Sequence, residues 1–329
     1  MEKVCIIFGG AGYIGTHLLE QFAKNNTFDK LISFDINPKP FRKVSDVEYI
    51  VGDVRKPIFL NLNSLNAEDS WVFNLAAIHR EPGHESKEYY ETNLLGAEHI
   101  NSFLETTQIQ NLYFTSSIAP YGESREQKRE SNLLQPKTPY GISKALAEKI
   151  HQIWSNSSSD RRLIIARPSV IFGPRDPGNV LRMVKAIQGR KFFFPGSDQI
   201  VKAYGYIYGL VDSVLFTMEQ KNERLIIYNY TENPLLNLGG MVAEVKKFLN
   251  ISVWTPRVPL FFLVWVARIV QLIGKPLGKV SSIHPVRVKK AAFPTHIYPE
   301  YLIKNNFEFK YPLQKALEHW KVKTPEDFT

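Results

Sequence analysis

Short apolar runs alternate with amphipathic stretches through the first half of the chain. They predict strands at Val4 to Phe8, Lys30 to Asp35, Val47 to Gly52, Trp71 to Leu75, Leu112 to Ser116 and Leu163 to Arg167, with a helix from about Gly12 to Lys24. The strand runs are mainly apolar and do not show strict period-two alternation, the pattern of strands buried on both faces. Strands of that kind separated by helices predict a doubly wound α/β architecture, a parallel sheet covered on both sides. Beyond about Gly173 the pattern loosens into Pro, Gly and aromatic residues at Phe192 to Gly196 and several short elements, as a smaller mixed α/β region would give. No internal repeat or low-complexity linker divides the two parts.

One later stretch breaks the rhythm. Val258 to Ile273 reads VPLFFLVWVARIVQLI, nearly all apolar, opened by Pro259, interrupted by Arg268 and closed by Gly274 and Pro276. It falls short of the roughly 20 apolar residues a membrane-spanning helix needs. A helix buried in the C-terminal region and a helix resting on a bilayer surface both fit it.

Composition narrows the class. A chain of 329 residues with 44% hydrophobic content can bury a sizeable core. The single cysteine, Cys5, leaves no disulfide framework and no Cys-based zinc site, so no metal is expected. The start of the chain lacks the pattern of an export signal, and a cytoplasmic location is expected. The formal charge of +9 favours anionic partners. The basic residues read as scattered: Lys185, Arg190 and Lys191 precede the aromatic run, and Arg287, Lys289 and Lys290 sit near the C-terminus. Without finger spacing or an arginine-rich arm, this favours a phosphate-bearing small ligand over nucleic acid.

The strand Val4 to Phe8 runs into Gly9-Gly10-Ala11-Gly12-Tyr13-Ile14-Gly15, where helical spacing begins. Glycines at 9, 12 and 15 permit a tight turn, close approach of the backbone to a pyrophosphate, and close packing of helix on strand. The helix N-terminus then offers its free N–H groups to the anion, those of Tyr13 and Ile14 among them. Asp35 ends the next strand about 20 residues on, where a carboxylate would accept both hydroxyls of an adenosine ribose and repel a 2′-phosphate. That favours NAD over NADP, tempered by the nearby Lys39 and Arg42. A plain strand-end cap is the alternative role for Asp35.

Tyr140-Gly-Ile-Ser-Lys144 lies on a predicted helix introduced by Thr138 and Pro139. A spacing of four puts the phenol and the ammonium on one helical face. A free phenol has a pKa of about 10, and a neighbouring cation makes Tyr140 a usable acid or base near neutral pH. Ser117, at the end of the strand through Phe114, supplies a hydroxyl to hold a carbinol or carbonyl oxygen. Ser117, Tyr140 and Lys144 are the candidate catalytic residues.

In these motifs the chain resembles the extended short-chain dehydrogenase/reductases, the group of UDP-galactose 4-epimerase. The likeness extends to Gly52-Asp53-Val54, where such proteins hold adenine, and to Asn74-Leu75-Ala76-Ala77, which lines the cofactor in them. Tyr90-x-x-Asn93-x-x-Gly96 is similar to the group's central helix signature, and Arg167-Pro168-x-x-x-Phe172-Gly173-Pro174 to the loop beside the nicotinamide. Phe307-x-Phe-Lys-Tyr-Pro312-Leu313 is similar to the entry of the terminal helix. The resemblance implies a Rossmann-like NAD-binding domain over 1–172, with sheet-returning segments from the later chain, and a partly interwoven substrate-binding region over 173–329. It adds Asp53, Val54, Leu75, Ala76, Ala77, Asn93 and Pro168 to the cofactor site, beside Tyr140 and Lys144. On the substrate side it implies His79, Ser117, Asn179, Lys202 and Arg287. Lys202 stands where relatives carry a diphosphate-binding arginine, and Ala203 and Gly209 stand where they carry aspartates. It also implies a homodimer built on two helices per subunit, one bearing Tyr140.

Members of this group epimerise, dehydrate, decarboxylate or oxidise. Ile118 and Ala119 follow Ser117, where 4,6-dehydratases carry an acid and a base, so dehydration is not expected. The resemblance therefore implies C4 epimerisation of a sugar nucleotide, a UDP-hexose or UDP-hexosamine. The alternatives are a net NAD(P)-linked dehydrogenase acting on a sugar nucleotide or a sterol-like alcohol, and a non-catalytic NAD(H) sensor or scaffold.

Overall fold

The computed structural model describes residues 1–79, 83–176, 178–274 and 292–329. Its first apolar run, β1 (Val4–Phe8), is wholly buried, and its side chains divide between two cores as strand geometry requires. Cys5 and Ile7 face one side, Val4, Ile6 and Phe8 the other. After β1 come α1 (Tyr13–Asn25), β2 (Lys30–Asp35), β3 (Val47–Val51) and β4 (Trp71–Asn74). A short α2 (Ser86–Tyr90) continues through a π turn (Glu91–Leu95) into α3 (Gly96–Thr107), which leads to β5 (Asn111–Thr115).

Next in order are β6 (Ser124–Lys128), α4 (Pro139–Asn156), β7 (Arg162–Pro168), β8 (Val170–Phe172), α5 (Asn179–Gln188), β9 (Phe194–Pro195), β10 (Tyr204–Tyr206) and α6 (Ile207–Glu219). The chain closes through β11 (Leu225–Tyr230), α7 (Leu238–Leu249), β12 (Arg257–Val258), α8 (Leu260–Gly274), β13 (Thr295–Ile297), α9 (Glu300–Lys304) and α10 (Leu313–Lys323).

The main sheet has seven strands in the order β11-β7-β5-β4-β1-β2-β3, and every adjacent pair in it is parallel. The predicted doubly wound, Rossmann-like sheet is therefore present. The strand order reverses direction at β1, between β2 and β4, and the crevice beyond the carboxyl ends of those strands is where such sheets receive ligands. β11 comes from the later chain and adds an edge strand along β7, Leu225 opposite Leu163 through Tyr230 opposite Pro168. One core, containing Leu18, Phe22, Phe73, Tyr113 and Ile164, extends through α5, α6 and α7 to Trp320 of α10. The other packs Ile100, Phe103 and Leu104 of α3 and Ala147 and Trp154 of α4 against the opposite face.

The later region adds two-stranded pairs, β8 with β10, β9 with β12 and β6 with β13. The apolar stretch after Pro259 does form a helix, α8. It is not buried all round: Ala267 is fully covered, while Phe261, Phe262 and Trp265 are exposed.

Candidate active site

The glycine turn is tight because its neighbours leave no room for side chains. Gly9 has φ of +85°, and a Cβ there would lie 2.7 Å from the Ala76 backbone nitrogen; one on Gly15 would lie 2.6 Å from the Gly9 carbonyl oxygen. Gly12 caps α1 with extended backbone and no side-chain hydrogen bond, and the first helical bond runs from Thr16 N–H to the Gly12 carbonyl at 3.0 Å. The N–H groups of Tyr13 and Ile14 thus precede any intrahelical partner, at the mouth of the crevice.

Asp35 ends β2 beside this turn. One carboxylate oxygen accepts the Ala11 N–H at 3.0 Å and the other the Asn37 N–H at 2.9 Å. The strand-end cap is thus realised, and each oxygen of the half-buried carboxylate keeps a further lone pair. Asp53 pairs with Arg55, Nη2 to Oδ2 at 2.7 Å, which holds its carboxyl below the usual range. Val54 is buried, its carbonyl bonded to His99 Nδ1 at 2.9 Å, and a Cβ on Gly96 would come within 3.0 Å of it. Leu75 extends β4 toward the turn, its N–H bonding the Phe8 carbonyl at 2.8 Å. An uncapped helix start, a turn without side chains and an acidic strand end together fit a dinucleotide.

Across the crevice, α4 begins as its sequence requires. Thr138 caps it by accepting the Gly141 N–H at 3.1 Å, and Pro139 occupies the first turn, where no N–H is needed. A Cβ on Gly141 would lie 2.9 Å from the Ala119 carbonyl oxygen, so this glycine lets the helix start seat against the loop carrying Ser117. That loop is fixed by Ile118 N–H to the Pro168 carbonyl at 3.1 Å and by Ala119 N–H to Ser117 Oγ at 3.1 Å.

Lys144 is almost fully buried, its Nζ 4.3 Å from the centroid of the Phe114 ring. Burial pulls its pKa down to about 7, with the Glu148 carboxylate, one turn on, pulling the other way. Glu148 is itself clamped. It accepts from Arg167 Nε at 3.0 Å and Nη2 at 2.7 Å and from the Ser116 hydroxyl, while Arg167 Nη1 donates to the Tyr121 hydroxyl at 2.7 Å.

Asn93 sits in the π turn and joins three elements. Its Oδ1 accepts the Ile78 N–H at 3.2 Å, its Nδ2 donates to Ser143 Oγ at 2.8 Å, and Ser143 Oγ donates to the Tyr140 carbonyl at 2.9 Å. His151, farther along α4, bonds Asn74 Nδ2 through Nε2 at 3.0 Å and Asn101 Oδ1 through Nδ1 at 2.7 Å. Burial, helped by Lys144, lowers its pKa to about 3, so it is neutral. Ser143, Glu148, His151 and Asn101 were not among the predicted site residues. The signal for them lies in α4, where Tyr140, Lys144, Glu148 and His151 recur at helical spacing on the side that also carries Ala147 and Trp154.

The predicted substrate residues are less gathered. His79 is exposed at the end of the segment leaving β4, and Asn179 is exposed at the start of α5, its Oδ1 accepting from Arg182 at 2.9 Å. Lys202 is half-buried, which lowers its pKa to about 8. Arg287 lies outside the described residues. The two positions lacking the expected aspartates are packed shut. Ala203 N–H donates to Thr295 Oγ1 at 2.9 Å. A Cβ on Gly209 would lie 2.2 Å from the Tyr230 hydroxyl. That hydroxyl donates to Glu232 at 2.7 Å, so a carboxylate returns to this place from β11's end, its pKa raised to about 7 by burial. Among the described residues, no cluster of side chains could hold a metal.

Comparison with known proteins agrees with this layout. An N-acetyl-alpha-D-glucosaminyl-diphospho-ditrans,octacis-undecaprenol 4-epimerase of Escherichia coli O157:H7 is 30% identical over 97% of this chain and 94% of its own. A decarboxylating sterol-4-alpha-carboxylate 3-dehydrogenase of Mus musculus is 22% identical over 88% of this chain and 82% of its own. Among solved structures, the Bordetella bronchiseptica enzyme WbmG in complex with NAD and UDP superposes with a TM-score of 0.72 at 15% identity, covering 100% of this chain and 96% of that one, a likeness of fold. Residues 5–230 match the model of one family, and they contain the glycine turn, the Tyr140–Lys144 pair and all but the first residue of the seven-stranded sheet: the chain belongs to the NAD dependent epimerase/dehydratase family.

Proposed function

We propose that the protein is an NAD-dependent C4 epimerase of a hexose or hexosamine carried on a diphosphate. The observation that carries this reading is the placement of Tyr140 and Lys144 on α4 opposite the Ser117 loop, across the crevice from the uncapped glycine turn. In this reading Gly9, Gly12, Tyr13, Ile14, Gly15, Asp35, Asp53, Val54, Leu75, Ala76, Ala77, Asn93 and Pro168 hold the cofactor. When bound, NAD is the hydride carrier that allows C4 to be oxidised and then reduced on its other face.

Tyr140 takes the proton from the C4 hydroxyl and later returns it, with the Lys144 charge stabilising the phenolate. Ser117 holds the oxygen in place. Asn93 and Ser143 fix the first turn of α4, and Glu148, held by Arg167, keeps a negative charge beside Lys144. His79, Asn179, Lys202 and Arg287 are assigned to the substrate, its diphosphate above all.

The carrier is a nucleotide, as in a UDP-sugar, or a polyprenol, as in the substrate named for the Escherichia coli relative. A second reading, a dehydrogenase acting on an apolar alcohol, is favoured by the exposed apolar side of α8 and by the similarity to sterol dehydrogenases. The proposed assembly is a homodimer through the outer sides of α3 and α4, where Leu146 and Ile153 are exposed.

The test is to release any bound cofactor with denaturant, then to offer the protein UDP-hexoses and, separately, polyprenyl-diphosphate hexosamine in detergent, without added NAD. The expected result is co-purified NAD and C4 epimers of one substrate set, with Tyr140→Phe about 10³-fold slower yet still loaded with NAD. Turnover only with added NAD(P) and net redox change would overturn the epimerase in favour of the dehydrogenase. Co-purified NAD with no turnover of either substrate set, in the wild type as in Tyr140→Phe, would indicate a sensor.

A further inference from the structure

The chain's positive charge is not scattered. Residues 245–299 contain nine of the 41 lysines and arginines and none of the 32 aspartates and glutamates, so the rest of the chain is formally neutral and this segment carries the whole +9. Its opening part leads through β12 into α8. There the aromatic side chains point outward: Trp254 is 82% exposed, Phe261 78% and Trp265 59%, and Phe262 stacks on Trp265 with ring centroids 6.2 Å apart.

Two exposed guanidinium groups flank these rings, Arg268 and Arg257, the latter donating from Nη2 to Asp198 Oδ2 at 2.7 Å. β12 is anchored to the body through β9, Phe194 N–H to the Pro256 carbonyl at 2.8 Å and Gly196 N–H to the Val258 carbonyl at 2.8 Å, and Ala267 of α8 is fully buried. The patch is therefore held on a fixed element.

We propose that Trp254, Phe261, Phe262 and Trp265, ringed by Arg257 and Arg268, form a docking surface for an anionic lipid bilayer, which α8 meets lying flat. A face that combines exposed Trp and Phe with basic residues, Asp198 being paired to Arg257 at its margin, has the chemistry of the boundary between headgroups and acyl chains. As described, the 15 residues of α8 make a helix about 22 Å long, short of a hydrocarbon core of about 30 Å. No helix among the described residues is long and apolar enough to cross. The proposal deepens the diphosphate-sugar reading, since an enzyme held on the bilayer meets a polyprenyl-linked substrate where that substrate resides.

The test uses the full cofactor-loaded chain and vesicles of phosphatidylcholine with and without phosphatidylglycerol, at low and high salt. Binding is read by flotation and by tryptophan emission. Of the five tryptophans, Trp71, Trp154 and Trp320 are buried, so a blue shift reports Trp254 and Trp265.

Expected are binding to the anionic vesicles with a blue shift, and flotation at least about tenfold weaker both for Arg257→Glu combined with Arg268→Glu and for Phe261→Ser combined with Trp265→Ser. Unchanged NAD content certifies that the variants fold. No binding to anionic vesicles at low salt overturns the proposal, as does binding that neither pair of substitutions weakens. Self-association without vesicles, abolished by the Phe261 and Trp265 substitutions, would make a second copy of the chain the occupant instead. Vesicle binding is read without turnover, so its failure and the failure of the epimerase reading are separate results.

Discussion

Lys144 shows how burial and function are joined at a single side chain. Its pKa in the folded, cofactor-free protein lies at about 7 against an ordinary 10.5, so between those values the unfolded chain holds a proton that the folded one has given up. Stability therefore rises with pH across that window and is lowest below about 7, where the folded protein must bury the charge. Lys144→Met should flatten this slope between pH 7 and 10, as measured by urea unfolding of the cofactor-free protein at several pH values; a slope equal to the wild type's would mean that Lys144 is not desolvated. The catalytic candidates were legible in the sequence because Tyr140 and Lys144 sit in a fixed local spacing. Glu148 and His151 were not, because a polar residue on a helix announces itself as inward only once the packing side of α4 is known. Arg287 lies outside the described residues, so its assignment rests on the resemblance alone.

At the scale of elements, α4 is held by the buried Glu148–Arg167 pair, which spans from helix to β7. Removing one partner strands the other charge away from water, which costs about 3–5 kcal/mol. Arg167→Met is expected to destabilise the protein by that amount in denaturant titration, and to lower kcat more than KM raises, since Lys144 loses its ordered neighbour; a loss below about 1 kcal/mol would show Glu148 to be repaired by water or protonation. Six of the seven strands of the main sheet were readable to within a residue or so from their mainly apolar runs, the edge strand β11 being missed, and Asp35 and Gly12 fell at the ends expected of them. The pairs β8–β10, β9–β12 and β6–β13 were not, because two to five residues carry no period and their partners lie far away in sequence. α8 was seen as apolar, but its exposed side depends on what the rest of the fold leaves uncovered.

Over the whole molecule, the outer side of α4 exposes Ile153 at 71% and Leu146 at 43%, opposite the face that carries Lys144. A second copy packed there would bury both helices of each subunit and brace the crevice from behind. Ile153→Glu is expected to convert a dimer to a monomer in light scattering after size exclusion; a wild type that is already monomeric would remove the proposed assembly. The doubly wound sheet was evident from strands and helices in alternation, whereas the reach of the later chain into the main core was visible only in part. That core forms one continuous cluster from Cys5 and Ile7 of the first strand to Trp320 and Phe328 at the end. During synthesis the earliest strands thus wait for nearly the whole chain before one side of their sheet is covered, and β7 keeps an open edge until β11 has been made. Until that later segment has been made, one apolar face of the early strands stays uncovered, and transiently exposed surface of this kind is prone to aggregate.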